Sequence, residues 1–382
     1  MNFESNQTMS RVGIVADDLT SAMDGAAPFV VHGDGCRASV VVGGRTACRR
    51  ADLIAVDTDS RSRTPEEAAL LTSRAITQLR AAPVLMKTVD STLRGHILVE
   101  LEAAWRASGR RLVVFAPAFP ASGRTTRNGI QLVHGLDVAQ SAFGNDARHP
   151  SPSGRIASLL APLAAELVRV NGDLPTEGVI IGDAECDEDL DRLVAAAAVD
   201  EVLWVGSPGL AAAVARRHSA ASGIDRSAVP AVRRVVVVIG STHRVNAMQL
   251  ARLRQHVGDG LRFVGEDGDA GDATIAVIMP PPAVGRVPID AAVRVKTMLA
   301  DRTRALVGVG FDGLIVTGGE TARSTVASLD IQQIDVLDEP WPGVVVGYVP
   351  QRSITIATKA GGFGGHNTLV DLVEYLVRGR RR

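Results

Sequence analysis

Short β-branched runs of four to six residues alternate along the chain with helical stretches of ten to sixteen. In the first half, strand-like runs fall at residues 12–16, 38–42, 53–56, 84–86, 112–116, 179–181 and 202–205. The apolar spacing between them predicts helices over 19–31, 65–79, 97–107, 155–163, 187–197 and 210–218. The second of these has a strong start, with Thr64 as cap, Pro65 at the first helical position and Glu66 and Glu67 in the first turn. The second half repeats the rhythm, with strands at 233–239, 274–278, 314–316, 344–349 and 354–357. Its helices fall at 245–255, 291–307, 321–329 and from Asn367 onward. Such alternation predicts an α/β fold of mostly parallel sheets flanked by helices.

A chain of 382 residues exceeds one ordinary core, so two domains are expected. The small, polar stretch from Ser219 to Ser227, followed by Pro230, marks the boundary. The division is an N-terminal domain over 10–220, a linker over 221–232 and a C-terminal domain over 233–378. Residues 265–272 read as a solvated acidic loop. With 38 glycines and only 3% aromatic residues, the cores should be Ala/Val/Leu-rich and the turns tight. A net charge of −1 argues against a nucleic-acid partner, which needs a basic face. Cys36, Cys48 and Cys186 have neither disulfide-framework nor zinc spacing and suit reduced thiols in a cytoplasm. The polar N-terminus lacks a signal-peptide core, and no apolar run is long enough for a membrane span, so a soluble cytoplasmic protein is expected.

Polar chemistry collects where strands should end. The densest stretch is Lys87 to Gly95, which brings Lys87, Asp90, Ser91, Thr92 and Arg94 together directly after an apolar run. Ligands of α/β sheets bind at such carboxyl ends. Arg94 offers a planar fork for a carboxylate, Lys87 a compact charge for a phosphoryl group, and Asp90 a proton acceptor. A salt-bridge cluster pinning the next helix is the plainer alternative. Asp17 and Asp18 end the first strand, and they suit a helix cap as well as a binding site. Ser60 and Arg61 end the third, and Arg124 in a Pro/Gly-fixed loop extends the anion site. His149 stands apart, since nothing nearby completes a constellation.

In the second half, Gly240-Ser241, Gly318-Gly319-Glu320-Thr321 and Gly361-Gly362-Phe363-Gly364 each follow a strand and precede a helix. Glycine lets a backbone approach a ligand closely, and a helix N-terminus offers free N–H groups to phosphate. Three such turns in one domain point to a nucleotide site. There is no GxxxxGK[ST] run, and the first βα turn lacks GxGxxG.

These motifs, in this order and spanning nearly the whole chain, resemble the four-carbon acid sugar kinase family. The resemblance implies an N-terminal domain for the acid sugar and a C-terminal domain for ATP. Its members phosphorylate threonate, erythronate or 3-oxo-tetronate compounds. By motif match, Asp17, Asp18, Ser60, Arg61, Lys87, Asp90 and Arg94 line the acid-sugar site. Ser241, Gly318, Gly319, Glu320, Thr321, Gly361, Gly362, Phe363 and Gly364 line the nucleotide site. The expected enzyme therefore uses MgATP on the terminal hydroxyl of a four-carbon sugar acid, with its active site in the cleft between the domains. Arg94 or Arg61 would grip the substrate carboxylate, Lys87 the transferring phosphoryl group, and Asp90, ahead of Asp18, the proton. Ser91 and Arg124 complete the substrate contacts. Mg²⁺ would ride on the ATP phosphates, with no protein metal site. The rival readings are an NAD(P)-dependent dehydrogenase with a diverged nucleotide loop and a non-catalytic sugar-acid sensor. The assembly is open, a homodimer included.

Overall fold

A computed structural model of the protein describes residues 10–33, 35–44, 51–144, 150–151, 153–168, 174–198, 201–218, 228–240, 244–265, 269–280 and 289–380. Ser241, His149, residues 221–227 of the expected linker and 266–268 of the acidic loop lie outside the described residues. The chain forms two compact units, Met1–Ile224 and Asp225–Arg382.

The first unit begins with β1 (Val12–Ala16), α1 (Leu19–His32), β2 (Ala38–Val42), β3 (Leu53–Asp57), α2 (Pro65–Leu79) and β4 (Val84–Thr88). It continues with α3 (Ile97–Ser108), β5 (Leu112–Ala116), β6 (Arg124–Arg127), β7 (Ile130–Val133), β8 (Leu136–Asp137) and α4 (Ile156–Leu159). It closes with β9 (Glu166–Val168), β10 (Gly178–Gly182), α5 (Asp187–Ala195), β11 (Val202–Gly206) and α6 (Pro208–His218). Within the unit the strands of the large sheet lie in the order β2-β3-β1-β4-β11-β5-β10-β9, every neighbouring pair parallel. All five residues of β1, β2, β4, β5 and β11 are buried, as strands covered on both faces should be. The chain steps from β1 across to β2, returns to β3, and then passes to β4 on the other side of β1. That reversal is a topological switch point, where an open α/β sheet leaves a crevice at its carboxyl ends.

Two expectations are corrected here. The loop expected beyond Pro117 holds an antiparallel meander, β6-β7-β8. Its first turn is Asn128-Gly129, with φ of 51° and 70°, the left-handed pair a two-residue hairpin turn demands. The helix expected over 155–163 is only α4 followed by a 3-10 turn over Ala161–Leu163. Pro162 in that turn has no N–H to give, which stops the α-helical ladder.

The second unit contains β12 (Val235–Ile239), α7 (Arg244–Val257), β13 (Leu261–Phe263), β14 (Ile275–Ile278), α8 (Ile289–Gly308) and β15 (Gly313–Thr317). After these come α9 (Gly319–Ser328), β16 (Gln333–Trp341), β17 (Val344–Val349), β18 (Ile354–Lys359) and α10 (Thr368–Arg378). Its strands lie in the order β13-β14-β12-β15-β18-β17-β16, parallel as far as β18 and antiparallel beyond. β16 escaped expectation because Asp335, Asp338, Glu339 and Pro340 break its apolar pattern, and its pairing with β17 carries two register shifts. No helix among the described residues is long and apolar enough to cross a membrane.

Candidate functional site

In the first unit, the ends of β1, β3 and β4 are neighbours, so the polar clusters after them meet. Asp18 caps α1, accepting from the Ser21 N–H at 2.7 Å and from Thr20 Oγ1 at 2.9 Å. That leaves Asp17 to face Arg61, whose Nε and Nη2 donate to its two oxygens at 2.6 and 2.8 Å. Arg61 Nη1 lies 2.5 Å from Asp18 Oδ2. A single guanidinium therefore binds both carboxylates. Gly95 makes this possible from the β4 side: its φ is +100°, and a Cβ there would sit 3.0 Å from Asp17 Oδ2.

Lys87 is turned inward. Its Nζ lies 2.8 Å from Glu100 Oε2, with 1% and 3% of the two side chains exposed, and donates to the Thr88 carbonyl at 2.7 Å. The second Glu100 oxygen accepts from Ser60 Oγ at 2.6 Å, and Ser60 also meets Thr58 Oγ1 at 2.8 Å. Glu100 sits in the first turn of α3, so this carboxylate ties the helix to the strand ends. Sequence reading missed Glu100 entirely. Its one signal was an acid among apolar residues near the start of a buried helix.

Asp90 holds Arg94 by Nε at 2.6 Å and by Nη2 at 3.2 Å, and it also accepts from Thr92 Oγ1. Side-chain exposure of this pair is 14% and 25%, the highest of the three acid–base sets. Burial pushes the Asp90 carboxyl up, but Arg94, Arg61 and the Thr92 hydroxyl outweigh it and hold it far below the usual carboxylate range. Asp17 follows the same logic: burial raises it, and Arg61 and Lys87 prevail and lower it. The Arg61 charge is opposed by burial and more than rescued by Asp17, Asp18 and Asp90. The loop carrying these groups is pinned by Gln131 Nε2 on the Ser91 carbonyl at 2.7 Å and by Ser151 Oγ on the Thr92 carbonyl at 2.6 Å. Ser91 itself is buried.

Arg124 enters from β6. It donates to the Ser122 carbonyl, and its guanidinium lies 5.8 Å from the Phe143 ring centroid, against 5.3 Å for Arg94. Two guanidiniums thus share one aromatic ring, which holds like charges close together. Burial lowers the Arg124 pKa, with Asp90 opposing and Arg94 reinforcing. Phe143 was not anticipated from sequence. Together the site contains the carboxylates Asp17, Asp18, Asp90 and Glu100 and the cations Arg61, Lys87, Arg94 and Arg124.

In the second unit, the three glycine turns end the adjacent parallel strands β12, β15 and β18. Gly240 packs so closely on α9 that a Cβ there would fall 1.7 Å from Thr321 Oγ1. Gly318, at φ 93°, caps α9, and its N–H donates to the Lys359 carbonyl at 2.9 Å, which joins the second turn to the third. Gly319, Glu320 and Thr321 form the first turn of α9, where N–H groups lack helical partners. Glu320 leans away to Lys296 of α8, 2.5 Å from Nζ. In the third turn, Gly364 has φ 87° with Thr368 Oγ1 2.4 Å from where its Cβ would be, and Phe363 packs on Gly343. Glu339, beside Gly343, is pushed up to about 7 by burial. Backbone N–H groups at a helix start and bare glycine turns on adjacent strands fit a polyphosphate. Among the described residues, no group of three or more His, Cys, Asp or Glu is placed to hold a metal ion.

Residues 12–214 match the profile of a sugar-binding N-terminal domain, and residues 282–369 that of a nucleotide-binding C-terminal domain. The chain is 32% identical to a D-threonate kinase of Bordetella bronchiseptica, over 97% of this chain and 98% of that one. A D-threonate kinase of Salmonella typhimurium is 30% identical over 95% and 97% of the two chains. Other relatives, at 26–28% identity, are named 3-oxo-tetronate kinase and D-erythronate kinase. A crystal structure of a Haemophilus influenzae protein shares the fold, with a TM-score of 0.73 and 21% identity, covering 96% of this chain and 100% of that one.

Proposed function

Because the chain belongs to the four-carbon acid sugar kinase family, we propose that it transfers the terminal phosphoryl group of ATP to a hydroxyl, the terminal one, of a four-carbon sugar acid. D-Threonate is the acid to test first, since three relatives named for it are 30–32% identical to this chain. The observation that carries the phosphotransfer reading is the alignment of three glycine turns on the neighbouring strands β12, β15 and β18.

Phosphoryl transfer needs positioning and charge neutralisation more than covalent chemistry. ATP would supply the phosphoryl group, and Mg²⁺ would supply neutralisation of its phosphate charge. The α9 N-terminus and the Gly361 and Gly364 N–H groups would receive the phosphates, a fit carried by the free amides at a helix start and in a glycine turn. In the first unit, Arg61 is occupied by Asp17 and Asp18, and Lys87 by Glu100. Lys87 therefore acts by holding the β4 end in place and adding its field, rather than by gripping the phosphoryl group itself. Arg94 and Arg124, side by side on Phe143, take the substrate carboxylate. Asp90 accepts the hydroxyl proton. It is a feeble base while Arg94 is bonded to it, and a substrate carboxylate that draws Arg94 away raises its basicity. Asp18, Ser60 and Ser91 complete the wall of the site. Cys36 and Cys186 are free thiols, in keeping with a cytoplasmic enzyme.

The test is ADP release, measured with coupling enzymes, over D- and L-threonate, the erythronates and their 3-oxo forms at saturating MgATP. Turnover that depends on one of these acids is expected. ATP consumption indifferent to every acid, or none at all, would defeat the reading.

A further inference from the structure

Lys359 ends β18 and is 1% exposed. Its ammonium donates to Asn246 Oδ1 at 3.0 Å, to the Ala360 carbonyl at 3.3 Å and to the Phe363 carbonyl at 3.2 Å. Its three donors thus meet three neutral acceptors, and no carboxylate among the described residues pairs with it. A buried cation is ordinarily paired, because leaving it unpaired is costly. The geometry of its partners suggests what the charge is for. In a planar trans peptide the N–H points opposite to the C=O, and no peptide bond among the described residues is cis. Drawing in the carbonyls of Ala360 and Phe363 therefore turns the N–H groups of Gly361 and Gly364 away from the ammonium. Gln249 Nε2 does the same from α7, donating to the Phe363 carbonyl at 3.1 Å and the Gly365 carbonyl at 2.9 Å.

We propose that Lys359 is a positioning residue of the nucleotide site, fastening the Gly361–Gly364 turn from behind and holding an uncompensated charge that a polyphosphate completes. The inference deepens the nucleotide reading of this turn and rests on it. Burial alone lowers the Lys359 pKa, to about 8. The charged and titratable groups on the surrounding elements are Arg244, Arg252, Arg254 and His256 on α7, Glu320 and Arg323 on α9, Asp335, Asp338 and Glu339 on β16, and Asp371, Glu374 and Arg378 on α10. None of them is bonded to Nζ. Glu339, raised to about 7, titrates below the window that matters. A polyphosphate beside the turn favours the protonated amine, so nucleotide binding should take up a proton in mildly alkaline solution.

Isothermal titration of ADP into the full-length protein, in buffers of different protonation enthalpy, reads that proton directly. The terminal phosphate of ADP, with an ionisation near about 6, is already charged at pH 8 and contributes nothing. Uptake should be about half a proton at pH 8 and about nine-tenths at pH 9, with affinity falling toward tenfold per pH unit above that. Lys359→Arg, which keeps its charge throughout, should bind ADP without proton uptake. Lys359→Met should lose both the uptake and at least tenfold in affinity at pH 7. ADP binding with no uptake by the native protein, or with uptake unchanged in Lys359→Arg, overturns the role of Lys359 and leaves the nucleotide reading standing. Failure of ADP to bind at any pH overturns both.

Discussion

Replacing Lys87 by Met tests whether this residue is spent on Glu100 or free to act on substrate. With 1% and 3% of the two side chains exposed, neither charge can turn to water when the other is removed. Stripping one partner from a buried pair costs about 3–5 kcal/mol, because the survivor is left charged and uncompensated. In a folding unit of 150–250 residues, each kcal/mol moves the midpoint by about 2–4 °C. The transition of the first unit, Met1–Ile224, should therefore fall by about 6–20 °C. Lys87→Met combined with Glu100→Leu should recover part of that loss, since an apolar pair of similar volume replaces a buried ion pair at little cost. Recovery stays incomplete because Ser60 Oγ, 2.6 Å from Glu100 Oε1, loses that charged acceptor and keeps only Thr58 Oγ1 at 2.8 Å. Differential scanning calorimetry of the ligand-free variants, with steady-state kinetics alongside, separates the alternatives. A Lys87→Met protein that melts with the native one while its kcat collapses would refute the reasoning and return Lys87 to the phosphoryl group.

Asp90→Asn should cut kcat by about 10²–10⁴-fold, the range for loss of a general base, with ADP affinity unchanged; near-native turnover would remove Asp90 from that role. Arg124→Met should raise KM for the sugar acid about 10–150-fold, the worth of one charge-assisted hydrogen bond, and a KM that stays put would take the carboxylate away from Arg124. Gly240→Ala puts a Cβ 1.7 Å from Thr321 Oγ1, so α9 must shift; ADP affinity should weaken while acid binding holds, and calorimetric titration with each ligand checks both. Lys359 sets a pH dependence whose sign is the reverse of the usual lysine case. Its folded-state pKa of about 8 lies below the ordinary 10.5, so between those values the unfolded chain holds more protons and stability rises with pH. The rise totals about 3 kcal/mol, measurable by denaturant titration of the second unit across that range, and it should vanish in Lys359→Met.

Strands covered on both faces were legible because each is a continuous apolar run bounded by polar turns, as Val12–Ala16 and Val235–Ile239 are. β16 was not, since its Asp338 is buried against Arg380 and Tyr375, a partnership 37 to 42 residues away that no local pattern reveals. The meander of β6–β8 could have been found, as Asn128-Gly129 is a hairpin signal, but it was absorbed into a loop rich in proline and glycine. At the site, the residue types and the strand ends that carry them were readable. What the sequence withheld was which charges are already satisfied. Lys87 at the end of β4 and Arg94 in the loop after it look alike as cations, yet one is sealed against Glu100 and the other sits in a partly exposed pair. That distinction depends on α3 folding back over the strand ends, a long-range event.

The two units treat charge in opposite ways, and the difference matches what each is proposed to bind. In the first, the acids and bases neutralise one another, with burial graded from the Lys87–Glu100 pair to the Asp90–Arg94 pair. A monoanionic acid entering such a site cannot gain from net field; it gains by exchange, taking a guanidinium from a carboxylate. Exchange is cheapest where the existing pair is least buried, because solvent and the newcomer share the desolvation. The deeper pairs then serve as a fixed frame around the one that moves. In the second unit, Lys359 has no carboxylate among the described residues to release, and the carbonyls it draws in leave the Gly361 and Gly364 N–H groups turned away from it. Exchange is not available there, but a polyphosphate brings enough negative charge to use an unmatched cation and bare amides at once. An organic acid at that turn would leave most of the amides unfilled, and a polyphosphate among the balanced pairs of the first unit would meet as many carboxylates as cations. Selectivity between the two ligands thus follows from the local sum of charges, before any question of shape arises.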